Sequence, residues 1–311
     1  MGIKGKDLLS IHDLSVDEVY EILAVAKKLK QQNKNGEEHH LLKGKTLGMI
    51  FQKSSTRTRV SFEVGMWQLG GMGLFLSSKD LQIGRGEPVK DTARTLSRYL
   101  DGIMIRTFSH DEVKELAHYA DIPVINGLTD LLHPCQALTD IFTVQEHKGD
   151  FKGRKLAFIG DGNNMANALL HVCAKVGMDI TVATPAKYAP DKNIVAEAMA
   201  DAKLSGSKIA LCNDPFAAAR DADVLYTDVW ASMGQEAEQV ARCQEFAGFQ
   251  INRDIMKVAR PDAIILHCLP AHRGEEITEE AIESSQSVVF DEAENRLHVQ
   301  KAIMALLMGK K

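Results

Sequence analysis

Apolar residues come in short unbroken runs, and the segments between them carry apolar residues at helical spacing. Residues 46–51, 72–76, 102–105 and 123–125 predict short buried strands. Helical patterns lie around 58–69, 89–100 and 111–119, after a first helix over 15–32 that opens with the capping-box pattern Ser15-Val16-Asp17-Glu18. Alternation of this kind predicts a parallel sheet flanked by helices. The pattern then restarts. Strands are predicted at 155–159, 179–182, 208–212, 222–226 and 263–266, with helices at 164–176, 193–204 and 252–259. A helical run at 134–147 bridges the two sets, and a last helix over 292–308 has no further strand to pair with, so it is free to return to the first set.

The predicted fold is therefore α/β, with two domains, each a central parallel sheet flanked by helices. Two helices link them, and the active site is expected in the cleft between them. The expected divisions are a first domain over 1–133 joined by the C-terminal helix 291–311, a linking helix over 134–150, and a second domain over 151–290.

Composition narrows the partners. A chain of 311 residues, 45% hydrophobic and 25% charged, has ample core for two domains. The net charge of −5 argues against a nucleic-acid footprint, which needs a strongly basic face. No apolar run approaches the roughly 20 residues of a membrane span. The first residues, Met1-Gly2-Ile3-Lys4-Gly5-Lys6, lack an apolar signal core, so the expected compartment is the cytoplasm. Cys135, Cys173, Cys212, Cys243 and Cys268 are odd in number and widely spaced. They suggest neither a disulfide framework nor a zinc site.

Chemistry-bearing residues gather where strands end. Ser55-Thr56-Arg57-Thr58-Arg59 puts three hydroxyls and two guanidiniums between a strand and a helix. The first turn of a helix has unpaired N–H groups and favours negative charge. Hydroxyl donors and Arg forks at that spot make a phosphate site. A cap alone needs one hydroxyl and gives no role to two arginines. Arg106 follows the strand 102–105, where a charge points into the crevice that binds ligands in α/β sheets. Alone it reads rather as a surface Arg at a strand exit, and its position relative to the sheet tips the balance. His133-Pro134-Cys135-Gln136 opens the linking helix, with Pro134 suited to its first position. His133 and Gln136 can both donate to a substrate carbonyl there, although a lone His is as often structural.

The second half offers three more strand ends. Gly160-Asp161-Gly162-Asn163-Asn164-Met165-Ala166 resembles a dinucleotide turn, which makes an NAD-dependent oxidoreductase the alternative function. The next strand, however, ends in Thr184-Pro185 without the carboxylate that would bind a ribose. Two adjacent Asn at a helix start also suit a small carboxylate. Asp228 follows another strand and can pair with an ammonium, with Ser232-Met233-Gly234 as a loop beyond it. His267-Cys268-Leu269-Pro270 ends the last strand, Pro270 holding Leu269 extended. Cys268 is either a nucleophile activated by His267 or a group that positions the reacting atom. Neighbours on an extended segment point opposite ways, which favours positioning.

These segments, in this order, resemble the aspartate/ornithine carbamoyltransferase family, on its ornithine-using side. The resemblance runs through Ser55–Arg59, Val60-Ser61-Phe62-Glu63, Arg106, His133–Gln136, Asp228 with Ser232-Met233-Gly234, and His267–Pro270, as far as Arg296. One departure is Gly84-Arg85-Gly86-Glu87. The resemblance implies that Ser55, Thr56, Arg57, Thr58, Gln82, Arg106, His133, Gln136, Cys268, Leu269 and Arg296 contact carbamoyl phosphate. It implies that Asn164, Asp228, Ser232 and Met233 hold L-ornithine, and that Arg106, His133 and Cys268 serve the chemistry. It also implies that Gln82 reaches a neighbouring subunit's site, so that the protein is at least a homotrimer. No metal or cofactor is expected. The implied reaction moves the carbamoyl group of carbamoyl phosphate to the δ-amine of ornithine, giving citrulline and phosphate in arginine metabolism. Rivals are another acceptor (acetylornithine, putrescine or aspartate), the oxidoreductase, and a non-enzymatic anion-binding protein.

Overall fold

The computed structural model describes residues 3–231 and 236–309. The chain divides into two compact units, Met1–Thr139 with Glu294–Lys311, and Asp140–Ala293.

In the first unit, β1 (Thr46–Phe51), β2 (Met72–Ser77), β3 (Gly102–Arg106) and β4 (Val124–Leu128) form a parallel sheet in the order β2-β1-β3-β4. Among the described residues, four α-helices lie wholly within it: α1 (Val16–Lys34), α2 (Thr56–Gln68), α3 (Val89–Leu96) and α4 (His110–Tyr119). The Ser15–Glu18 capping box starts α1 as the sequence predicts. Ile50, Ile103, Ile105 and Val124 of the sheet pack on Ala93, Val113 and Leu116 of α3 and α4. Burying such side chains contributes roughly 1.5–3 kcal/mol each.

Two local expectations fail. β2 is half-exposed rather than buried, because it is an edge strand, with Met72 57% exposed. Helix α3 stops at Leu96 instead of running to 100. There Ser97 Oγ donates to the Ala93 carbonyl and accepts from Asp121 N–H, which draws the chain out of the helix. The opposite sheet edge is covered: Leu8 N–H donates to Val124 O, and Leu8 O accepts from Asn126 N–H, at 2.9 and 2.8 Å.

The C-terminal helix spans Val289–Met308, and from Glu294 onward it belongs to the first unit. Asn295 accepts from Lys30 Nζ at 2.7 Å and Lys301 Nζ donates to Gln68 at 2.7 Å. Contact with α2 is close enough that a Cβ on Gly65 would meet Met304 Cε at 2.9 Å.

In the second unit, β5 (Lys155–Ile159), β6 (Asp179–Ala183), β7 (Ile209–Cys212), β8 (Val224–Thr227) and β9 (Ile264–His267) form a parallel sheet ordered β7-β6-β5-β8-β9. The helices α6 (Asn164–Val176) and α7 (Lys192–Ser205) follow α5 (Pro134–Lys148). The chain passes between the units twice, inside α5 after Thr139 and inside the C-terminal helix at Glu294. Leu225 and Ile265 lie in a core with Phe246, Ile251 and Ile277.

Both sheets change direction once. The chain builds β2 on one side of β1 and β3 on the other, and likewise β6 and β8 around β5. Loops leaving the carboxyl ends of such a strand pair diverge and open a crevice, the general ligand site of α/β sheets. The register sets Phe51 beside Arg106 in the first unit and Phe158 beside Tyr226 in the second.

Candidate active site

The first crevice collects most of the predicted donor residues. Ser55 caps α2 from an extended conformation, and its Oγ accepts from Thr58 N–H at 3.2 Å. Thr56 and Arg57 therefore occupy the first turn, where N–H groups point outward. Thr58 is buried, and its Oγ1 accepts from Arg296 Nη2 at 3.1 Å. Arg296 Nη1 donates to Gln136 Oε1 at 2.6 Å. With the Gln300 amide turned so that its oxygen faces Arg296, that oxygen accepts from Nε and Nη2 at 3.2 and 2.8 Å. Arg296 thus ties the C-terminal helix to α2 and α5, and its guanidinium holds Thr58 and Gln136 in place.

His133 ends the loop after β4. The loop is pinned by Thr129, which exchanges hydrogen bonds with Leu132. Burial, and then the charges of Arg296, Arg106 and Arg57, hold His133 well below the usual imidazole range. The ring is neutral and keeps one N–H to donate. Its Nδ1 is buried and has no hydrogen-bond partner among the described residues. Arg106 is also buried, at the irregular end of β3. Its carbonyl anchors the loop to Ser55 by accepting from Gln52 and Lys53 N–H.

Two predicted participants stand apart. Arg59 pairs with Glu63 at 3.2 Å and stacks on Phe75 at 3.8 Å, because two positions along a helix turn a side chain by about 200°. Arg57 is the guanidinium that faces the crevice residues; Arg59 belongs to the β2 side. Gln82 starts a short turn, Gln82–Arg85, and is exposed. Cys135 is a buried thiol pushed up to about 12 by burial, and it donates to Asn126 O at 3.4 Å.

The second crevice is built on Asp228, directly after β8. Its Oδ2 accepts from Asn163 Nδ2 at 2.8 Å and its Oδ1 from Cys268 Sγ at 3.2 Å. Asn163 also caps α6, accepting from Met165 and Ala166 N–H. Asn164, the predicted carboxylate ligand, is the first residue of α6. Burial pushes the Cys268 thiol well above its ordinary range, and the negative charges of Asp228, Glu292 and Asp140 add to this. A thiol so held is a donor and a poor nucleophile. His267 turns the other way: Nε2 meets Glu276 Oε1 at 3.0 Å and Nδ1 accepts from Leu269 N–H at 2.9 Å. That last bond curls the chain, so Leu269 has φ 57 rather than the extended shape expected. A branched residue held at positive φ is strained, and such strain collects at functional sites. Ser232 and Met233 lie outside the described residues.

Asp228, His267 and Cys268 carry possible metal-ligand atoms within 4.8 Å of one another. Those atoms already bond one another or Asn163, Leu269 and Glu276. This is the chemistry of a hydrogen-bonded positioning set.

The Gly160–Ala166 turn explains its glycines without a dinucleotide. A Cβ on Gly162 would lie 2.4 Å from Pro190 N and from Tyr188 O. Asp161 is spent on Arg242, whose Nη1 reaches its Oδ2 at 2.8 Å. Asp161, Asn163 and Arg242 are absent from the expected site. Asn163 was legible as the cap before the first helical residue; Arg242 lies in a seven-residue helix, Gln239–Glu245, that shows no pattern.

The chain is similar to known proteins along its length. The carbamoyl-P binding domain model of the aspartate/ornithine carbamoyltransferases matches residues 6–146, and their Asp/Orn binding domain model matches residues 152–307. The ornithine carbamoyltransferase of Syntrophotalea carbinolica is 60% identical over 304 residues, 98% of this chain and 99% of that protein. That of Anoxybacillus flavithermus is 58% identical over 306 residues, 98% of each. The solved ornithine carbamoyltransferase of Pyrococcus furiosus has a TM-score of 0.97 at 54% identity and covers 100% of both chains. An anabolic ornithine carbamoyltransferase from Campylobacter jejuni has a TM-score of 0.91 at 46% identity, covering 96% of this chain and 97% of that one.

Proposed function

The chain belongs to the aspartate/ornithine carbamoyltransferase family, and from that premise we propose that it carries the carbamoyl group of carbamoyl phosphate to the δ-amine of L-ornithine. The products are L-citrulline and inorganic phosphate. One observation carries the choice of acceptor: the buried Asp228 carboxylate bonds only to neutral donors, Asn163 and Cys268, among the described residues. A buried charge needs a partner, and an α-ammonium supplies one. An acceptor with a second carboxylate meets repulsion here.

The roles follow from the groups. Ser55, Thr56, Arg57 and Thr58 hold the phosphate through first-turn N–H groups, hydroxyls and a guanidinium. Arg106 and the neutral His133 donate to the carbonyl oxygen, where negative charge grows as the C–N bond forms. Preorganised donors of this kind are worth roughly 3 kcal/mol each. Gln136 and Arg296 keep Thr58 and the loop in register. Asp228 binds the α-ammonium, Asn164 the α-carboxylate, and Ser232 and Met233 complete that pocket. Cys268 and the Leu269 carbonyl orient the δ-nitrogen. The amine's lone pair attacks carbon, the C–O bond to phosphate breaks, and the amine's proton leaves with phosphate or water. No covalent enzyme intermediate is required, since phosphate is a good leaving group.

We place Gln82 in the donor site of a neighbouring copy within a homotrimer. Its exposure supports this, together with the exposed apolar side chains Val60 and Trp67 on α2 and Met72 and Phe75 on β2. The anabolic description of the Campylobacter relative supports a role in arginine biosynthesis. No described helix is long and apolar enough to cross a membrane.

The test is citrulline release from carbamoyl phosphate with ornithine, acetylornithine, putrescine or aspartate as acceptor. Ornithine should be preferred by at least 100-fold in kcat/KM. Equal turnover of another acceptor, or reduction of NAD by the same protein, overturns the reading.

A further inference from the structure

We infer that Arg242 is a positioning residue for the acceptor, locking the β5–α6 turn and the chain after β8 into one rigid frame around Asp228. This rests on the reading of the second unit as the ornithine-binding one. Arg242 is buried although it carries a permanent charge. Its Nη1 donates to Asp161 Oδ2 at 2.8 Å and to the Trp230 carbonyl at 2.9 Å, and its Nε donates to Glu238 Oε2 at 3.0 Å. The guanidinium carbon stands 4.8 Å from the centre of the Tyr188 ring. Tyr188 and Trp230 both pack on Phe246, at 4.7 and 5.7 Å between ring centres. The charge therefore lies over one aromatic ring that is itself packed on the second unit's core.

What Arg242 touches explains its reach. Asp161 is two residues before Asn163, the residue that bonds Asp228 and caps α6. On its other side the same turn is fixed by Gly162 N–H donating to Tyr188 O at 2.8 Å. Trp230 is two residues after Asp228. One guanidinium thus fixes both stretches that flank the carboxylate. It also settles the charge. Burial, opposed by Arg242, pushes Asp161 up to about 6. Arg242 is matched to Asp161 and Glu238, and among the described residues Asp228 bonds only the neutral donors Asn163 and Cys268, which leaves its charge for the acceptor's ammonium. A lysine in this place has three donors on a single point and no planar fork, so it cannot keep all these bonds at once.

The experiment makes Arg242→Gln, Arg242→Lys, Asp161→Asn and the Arg242→Gln/Asp161→Asn double variant in the full chain. Citrulline formation is followed while each substrate is varied in turn, and hydrogen exchange is followed by mass spectrometry. Arg242→Gln and Asp161→Asn should each raise the ornithine KM tenfold or more and leave the carbamoyl-phosphate KM within twofold. The double variant should match the worse single one, and Arg242→Lys should fall between wild type and Arg242→Gln. Amides of residues 160–176 should exchange faster, while those of 46–69 stay unchanged. An ornithine KM within twofold of wild type overturns the inference, as does an equal rise in both KM values with faster exchange throughout. If the wild-type protein makes no citrulline, the proposed reaction falls. The exchange pattern then still decides whether Arg242 fixes the turn.

Discussion

The Ser55 turn and the Asn163 turn are the same device with opposite charge. Each follows a strand at the point where its sheet changes direction, and each is closed by a polar cap on the next helix. Around Ser55 stand Arg57, Arg106 and Arg296, with a histidine they help to keep neutral. Around Asn163 stand Asp228, Asp161 and a thiol that neighbouring carboxylates help to keep protonated. The backbone geometry supplies a place for a ligand in both units. The sign of the surrounding charge decides whether that ligand is a phosphate or an amine. Fold and ligand class are therefore separable in this chain: the crevice comes from strand order, the selectivity from a few side chains.

The sharpest way to break this contrast is to remove the positive half. Arg57→Ala should lower kcat/KM for carbamoyl phosphate by roughly 1000-fold, with the circular dichroism spectrum unchanged. Near-normal turnover removes Arg57 from the phosphate site. A smaller effect is expected in the negative half. Asp228→Asn keeps the shape and deletes the charge, and should raise the ornithine KM by roughly 100-fold, the scale of about 2–3 kcal/mol for a hydrogen bond to a charged group. Calorimetric titration of carbamoyl phosphate should not change; a parallel loss there means that Asp228 serves both substrates.

The smallest effects concern pH. The δ-amine must be unprotonated to attack, and a free alkyl amine has a pKa near ~10.4. Activity should rise from neutral toward alkaline pH, and His133→Gln should lower the rate without moving that rise. The histidine shows instead in stability. Its folded pKa lies below the unfolded value, so on acidification the unfolded chain takes up a proton that the folded chain refuses. Stability therefore falls as pH drops below about 6.5. His39, His110 and His298 are shifted in the same direction, His298 to about 4. Urea unfolding at pH 7 and pH 5 should show a smaller acid loss in His133→Gln than in the parent; an equal loss means that folding does not lower the pKa of this ring.

What the sequence disclosed follows from how local each signal is. Buried parallel strands are apolar throughout, so β1, β3, β5, β8 and β9 stood out as runs. The same composition in 72–76 hid the fact that β2 is an edge, since burial depends on neighbours that come from elsewhere in the chain. The helices Pro215–Ala219, Gln239–Glu245 and Glu279–Ile282 are too short to show a period. Ser55 to Thr58 were legible because four functional groups are adjacent. The Arg242–Asp161 pair was not, because 81 positions separate its members and each alone looks like a solvated charge. Arg296 was expected as a carbamoyl-phosphate contact, and what its place in the motif did not disclose is that it also bonds Thr58, Gln136 and Gln300. A guanidinium's partners depend on packing that no linear motif encodes.

The discontinuity of the first unit has a consequence for synthesis. The second unit is one unbroken stretch, Asp140–Ala293. The first needs both flanks of the chain: Gly5 N–H bonds Leu307 O at 3.0 Å, and Arg296 holds Thr58. On a ribosome that releases the chain from its N-terminal side, the phosphate-binding unit begins first and cannot close until residues 294–309 have followed. Over that interval it exposes the face of α2 that Lys301 and Met304 later cover. Its assembly is thus the long-range, slow event, and the amine-binding unit is free to fold before it.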